Sequence, residues 1–250
     1  MTVKGVIVAG GEGKRFRPLT FYIQKCMIPV GDMEKPILEY IVRLLQYHKI
    51  DEQVLLVGYR HQQIMNYFDH GERFKVKMKY VMDPPDEKGS AAALLNAYRK
   101  NVICDNDTLL IYYGDILSNI DLTEMLIQHR KTNAEVTIAL AKKFNVNVGV
   151  ADLDGSRITK FVEKPDIEKP ASIGILAIEG TVLGILEEMK KQSNKESFDI
   201  MGDVISIMVK RRRNIYGYLT DAQWMDIGSV EKYEKLEENT LREMLGFLFN

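Results

Sequence analysis

GVIVAGGEGKRFRPLTFYIQKCMIPV, residues 5–30, decides how the chain is read. Val6, Ile7, Val8 and Ala9 form a short apolar run between glycines, the pattern of a strand buried on both faces at the centre of a parallel sheet. Gly10, Gly11 and Gly13 follow, and without a Cβ the backbone there can turn sharply and bring its N–H groups close to an anion. Arg15 and Lys25 add mobile positive charge to those fixed dipoles, while Pro18 and Pro29 argue against a long helix. Two familiar phosphate loops fail on residues that carry their mechanisms. The dinucleotide fingerprint needs a third glycine where Phe16 stands; the P-loop needs Ser or Thr where Arg15 stands and a glycine where Val8 stands.

Outward from this stretch, the 250 residues suffice for one large α/β domain or two small ones, and 46% hydrophobic with 28% charged residues is ordinary globular composition. A net charge of −1 exerts no global pull toward nucleic acid or an acidic membrane, so neither is expected as a partner. Cys26 and Cys104 lack metal-ligand spacing, and no histidine sits in a motif that would make Cys26 a catalytic thiol. The N-terminus has no signal-peptide pattern and no apolar run approaches about 18 residues, from which a cytoplasmic location is expected.

The pattern predicts a helix over 36–48, a strand over 54–57, a short helix carrying Ile64 and Phe68, and a strand over 75–82. A turn-rich loop leads to a helix over 91–99, and the strand 108–113 delivers Gly114-Asp115. Ligands in open α/β sheets sit beyond the carboxyl ends of the strands, so Asp115 is placed to hold a metal that phosphate oxygens share. A helix over 122–131 and a strand over 134–141 precede two alternating runs that flank Asp154-Gly155, a hairpin signal over 149–162. A strand over 172–179 follows, whose Glu179 reaches either a ligand hydroxyl or solvent. Surface helices are expected over 181–191 and 201–211, an edge strand over 215–219, and from Ser229 a helical tail with Tyr233, Leu236, Leu241 and Leu245 on one stripe. The apolar chain end docks either on the core or on another subunit, so a homo-oligomer is open.

GGEGKRFRPLT with Lys25 downstream, FVEKP at 161–165 and WMDIGS at 224–229 together resemble the sugar-nucleotide pyrophosphorylases, the sugar-phosphate nucleotidylyltransferases. The likeness spans residues 3 to about 238 and is similar to the glucose-1-phosphate or mannose-1-phosphate type, in a short form without a β-helix domain. It implies an α/β fold with a Rossmann-like, mostly parallel central sheet, helices on both faces and a smaller β-hairpin sugar-binding subregion. It implies one domain over 1–250, with a nucleotide-binding half to about 145, a sugar-binding half over about 146–238 and a tail from about 239.

By the same resemblance, Ala9, Gly10, Gly11, Gly13, Gly89 and Ser90 bind the nucleotide, although a plain helix N-cap is an alternative for Ser90. Arg15 and Lys25 are the catalytic cations; Gly149, Glu163, Lys164 and Ile175 hold the sugar phosphate; Asp115 and Asp226 bind Mg²⁺. The departures are Lys14 for Thr or Ser, Phe16 for Leu, Gln24 and Cys26 for the flanking prolines, Lys88 for Leu, Ala92 for Gly, Ser172 for Asn, Leu176 for Tyr and Ser229 for Thr. The implied reaction joins an NTP to a sugar 1-phosphate and releases pyrophosphate, with glucose or mannose 1-phosphate favoured and dTTP, UTP, GTP and CTP all open. The rivals are a catalytically silent, nucleotide-sugar-binding regulatory relative, a dinucleotide oxidoreductase that Phe16 disfavours, and cytidylyl transfer to a non-sugar acceptor.

Overall fold

The protein, seen in a computed structural model, is described over residues 2–193 and 195–249. Among the described residues, fifteen strands succeed one another: β1 (Thr2–Ala9), the two-residue pair β2 (Pro29–Val30) and β3 (Lys35–Pro36), β4 (Glu52–Val57), β5 (Lys77–Met82), β6 (Asp107–Tyr113) and β7 (Ile116–Ser118). Then come β8 (Val136–Ala141), β9 (Phe144–Asn145), the hairpin β10 (Val150–Asp154) and β11 (Arg157–Val162), β12 (Asp166–Ile167), β13 (Ala171–Glu179), β14 (Ile215–Thr220) and β15 (Trp224–Asp226). Between them run the helices α1 (Ile37–Tyr47), α2 (His61–Phe68), α3 (Ser90–Arg99), α4 (Leu122–Lys131), α5 (Val182–Gln192), α6 (Ser206–Lys210), α7 (Val230–Glu234) and α8 (Glu238–Leu245).

Seven strands form the central sheet in the order β14-β8-β13-β6-β1-β4-β5. β1 pairs in parallel with β4 and β6, β4 with β5, and β8 with β14; β13 alone runs antiparallel, between β6 and β8. The apolar run of the opening stretch is indeed central, with Val6 and Ile7 fully buried on opposite faces. α1, α2, α4 and α8 pack on one face and α3, α5 and α6 on the other, which is the mostly parallel, two-faced α/β architecture expected. From β1 the chain passes to β4 and β5 on one side and then returns to β6 on the other. The gap between β1 and β6 is therefore the topological switch point, where the carboxyl ends of the strands open a crevice.

Two local expectations change, and the place of the chain end, left open by the sequence, is decided. The segment 201–211 is not one surface helix: Ile200–Ile205 form a π-helical turn ahead of the five-residue α6, and Ile200, Val204 and Met208 are buried. The tail is two helices broken over 235–237. Its end docks on the core, where Leu241, Met244 and Leu245 are buried and Phe249 meets Tyr40 edge-on at 5.1 Å. No helix among the described residues is long and apolar enough to cross a membrane.

Candidate active site

The glycine loop leaves β1 at Ala9 and turns over Gly13, whose φ of +62° lies in the left-handed region that suits glycine. Gly13 O then accepts hydrogen bonds from Phe16 N at 2.8 Å and Thr20 Oγ1 at 2.9 Å, closing the turn. Phe16 is fully buried and lies 5.7 Å beneath Lys25 Nζ, so this departure from the family pattern supplies a floor under the lysine. Gln24 explains another. Fully buried, it donates through Nε2 to Ala9 O at 2.8 Å and accepts from Cys26 N at 2.5 Å, tying the lysine segment to the end of β1 where a proline would offer neither bond. Cys26 is buried, and desolvation followed by the Asp115 charge pushes its thiol up to about 12, so it stays protonated and is no nucleophile.

Lys25 Nζ is ion-paired with Asp115, which emerges after β6 at the switch point. Asp226 arrives from the far end of the chain by strand pairing. β15 runs antiparallel to β7, Asp226 stands opposite Ile116, and Ile227 N donates to Asp115 O at 2.9 Å. The side chains of Asp115 and Asp226 are 25% and 29% exposed. Asp226 is paired with Lys232 of α7, a cation that no sequence motif marked. Arg15 completes this end: a Cβ placed on Gly228 would meet Asp226 Oδ1 at 2.7 Å and Arg15 Nη2 at 3.1 Å.

A cleft of about 560 Å³ opens here, and Ala9, Gly10, Gly11, Gly13, Arg15, Lys25, Gly89, Ser90 and Asp115 all line it. Gly89 has a φ of +102°, and a Cβ on it would stand 2.3 Å from Phe198 O, so the start of α3 is pressed against the segment before the π-helical turn. Ser90 is the first residue of α3 rather than its N-cap, which is Gly89. Its N–H donates to Asp199 Oδ1 at 3.1 Å, its Oγ accepts from Ile200 N at 3.0 Å, and Tyr113 OH lies 3.1 Å from that Oγ. Asp199 and Asp83 also line the cleft, and sequence reasoning missed both. Asp199 had a signal, since Phe198-Asp199 resembles the family's segment before its last strands.

The sugar-side candidates are arranged differently. Gly149 and Glu163 come together at the base of the exposed β10–β11 hairpin, where a Cβ on Gly149 would meet Glu163 Oε2 at 2.9 Å. Lys164 follows with a φ of +47°, its carbonyl accepting from Asn145 Nδ2 at 2.9 Å. These three stand off from the cleft lining, and Ile175 is fully buried opposite Tyr112 in the sheet. Glu179 reaches neither a sugar site nor open solvent: its Oε1 lies 3.0 Å from His129 Nε2 and accepts from Thr108 Oγ1 at 3.2 Å.

Whether these residues suit Mg²⁺ can be tested on their donors. No cluster of three or more His, Cys, Asp or Glu positioned for a metal occurs among the described residues. Asp115 lines the cleft, and Asp226, outside the lining, is brought next to it along the backbone by the β7–β15 pairing. Two carboxylates each about a quarter exposed nevertheless fit this ion, which typically takes one or two protein carboxylates and fills its shell with phosphate oxygens and water.

The nucleotidyl transferase family model matches residues 4–243. UTP–glucose-1-phosphate uridylyltransferase of Synechocystis sp. is 31% identical over 247 residues, covering 92% of this chain and 61% of that protein. D-glycero-alpha-D-manno-heptose 1-phosphate guanylyltransferase of Aneurinibacillus thermoaerophilus is 28% identical, covering 94% and 97%. Among solved structures, a Bacillus anthracis protein described as a glucose-1-phosphate thymidylyltransferase superposes with a TM-score of 0.74 at 22% identity, over 96% of this chain and 95% of that one. HddC from Yersinia pseudotuberculosis, solved with GMP-PN, gives 0.68 at 19%, over 96% and 100%. The chain thus spans about three fifths of the length of the Synechocystis relative and nearly all of the heptose-1-phosphate one. The match over nearly the whole chain, on the sheet and loop just described, shows that this protein belongs to the nucleotidyl transferase family.

Proposed function

We propose that the protein transfers a nucleotidyl group from a nucleoside triphosphate to a sugar 1-phosphate, giving an NDP-sugar and pyrophosphate, with Mg²⁺ as cofactor. The observation that carries this reading is the convergence of Asp115 and Asp226, through the β7–β15 ladder, beside Lys25 and Arg15 at the end of the glycine loop. A phosphate oxygen of the sugar 1-phosphate attacks the α-phosphorus, the bond from that phosphorus to the β-bridging oxygen breaks, and pyrophosphate leaves with the electron pair. The nucleophile is already anionic near neutral pH, so no general base is needed. Asp115 and Asp226 would hold Mg²⁺, which would supply charge to neutralise the phosphates. The amides of Gly10, Gly11 and Gly13 with Arg15 hold the β- and γ-phosphates, and Lys25 neutralises charge at the α-phosphate. Glu163 and Lys164, with Gly149 and the backbone around Ile175, serve the sugar phosphate from the hairpin side. The free Cys26 and Cys104 suit a reducing, cytoplasmic setting.

Relatives named for uridylyl and guanylyl transfer stand at similar distances, so likeness alone does not choose the base. The test is pyrophosphate release from the common NTPs against several sugar 1-phosphates, with and without Mg²⁺. Release that requires both substrates and the metal is the expected result. Nucleotide binding without release under any pairing would instead favour a silent regulatory relative.

A further inference from the structure

Asp83 leaves the end of β5 and places its carboxylate in the cleft on the β4–β5 side of the glycine loop, whereas Asp115 stands on the β6 side. It is packed against two glycines: a Cβ on Gly10 would lie 2.0 Å from Asp83 Oδ2, and one on Gly58 2.2 Å away. Burial alone raises its pKa, because no donor or cation among the described residues offsets the desolvation. An ionised carboxylate accepts hydrogen bonds and donates none. A half-buried acceptor left unpaired in a ligand cleft calls for donors on the ligand.

The two ends of the cleft therefore differ in charge. Arg15, Lys25 and the paired aspartates form the end that suits phosphates, while an unpaired carboxylate repels them. The Asp83 wall, which continues through Pro84 to Gly89, takes the uncharged end of a nucleotide, its base. Guanine presents two adjacent donors on its Watson–Crick edge, N1–H and the N2 amino group, spaced for the two oxygens of one carboxylate. Uracil and thymine present one N–H between two carbonyl oxygens, and cytosine and adenine present an amino group beside a ring-nitrogen acceptor. Each of these turns at least one lone pair toward the carboxylate.

We propose that Asp83 is a specificity-determining residue that selects guanine, so that the nucleoside triphosphate taken by this site is GTP. This rests on the nucleotidyl-transfer reading only for the identity of the ligand class, and binding tests it apart from turnover. Calorimetric titration of the full chain with GTP, ATP, UTP, dTTP and CTP in the presence of Mg²⁺ should give GTP the tightest binding by at least about tenfold. Asp83→Asn replaces one acceptor by a donor. It should weaken GTP by about tenfold or more while leaving UTP and dTTP unchanged or tighter. Tightest binding of a base other than guanine by the unmodified protein overturns the proposal, as does an equal loss for all five nucleotides in the variant. Pyrophosphate release measured alongside keeps the two readings apart. GTP preference in binding without release sinks the transferase and leaves Asp83 standing, whereas release that favours UTP, dTTP, CTP or ATP in kcat/KM sinks the Asp83 assignment and leaves the transferase.

Discussion

Lys25 shows how single residues around the loop divide their labour. Its ammonium is paired with Asp115 and seated over the Phe16 ring, so its position is set before any substrate arrives. Removing a charge that acts in the transition state typically costs about 2.7–4 kcal/mol. Lys25→Ala should lower turnover by roughly 10²–10³-fold with an unchanged circular dichroism spectrum, and near-normal turnover would remove the lysine from the mechanism. Gln24 is the structural counterpart. Gln24→Ala leaves Ala9 O and Cys26 N without their buried partners, and about 1–3 kcal/mol of stability should be lost in urea denaturation. Cys26, with its thiol pushed up to about 12, should resist iodoacetamide at pH 8 while the exposed Cys104 is alkylated, as mass spectrometry of the folded protein would report.

Among elements, the informative contacts lie where a helix meets the sheet through polar groups. α4 is locked to β8 and β13 through His129, whose ring is fully buried with Nδ1 2.7 Å from Thr137 Oγ1 and Nε2 3.0 Å from Glu179 Oε1. Burial holds the imidazole pKa below its usual value, and this outweighs the attraction of the Glu179 charge. An unfolded histidine takes up its proton near 6.5, while the folded one resists. The stability this contributes is present above about pH 6.5 and is lost as pH falls through the lowered folded value. His129→Gln should flatten that part of the acid-side decline in melting temperature; an unchanged slope between pH 7 and 5 would assign the decline to other groups. The π-helical turn plays a comparable role at the cleft. Ser90 is held by Asp199 and Ile200 N, so the geometry of that turn is transmitted directly to the cleft wall.

For the whole molecule, the tail closes the face that α1 would otherwise expose. Leu241 is buried against Gly31, Phe247 meets Tyr47 at 5.0 Å, and Arg43 lies 4.6 Å over Phe249. Leu241→Ala should cost about 2–5 kcal/mol in urea denaturation, through lost burial of the leucine side chain and the cavity left behind. By itself, the sequence determined the alternation of strands and helices and the glycine turn after β1. Both depend on side-chain period and on φ freedom within a few residues, as with Val6–Ala9 and Gly13. Family likeness further named Asp115 and Asp226, but not what brings them together. Tertiary structure decided that β13 enters the sheet antiparallel between β6 and β8, that β15 lays Asp226 beside Asp115, and that Asp83 packs against Gly10 and Gly58 at the cleft wall. Each of these depends on pairing or packing between segments tens to more than a hundred residues apart, and nothing in a local pattern specifies that register.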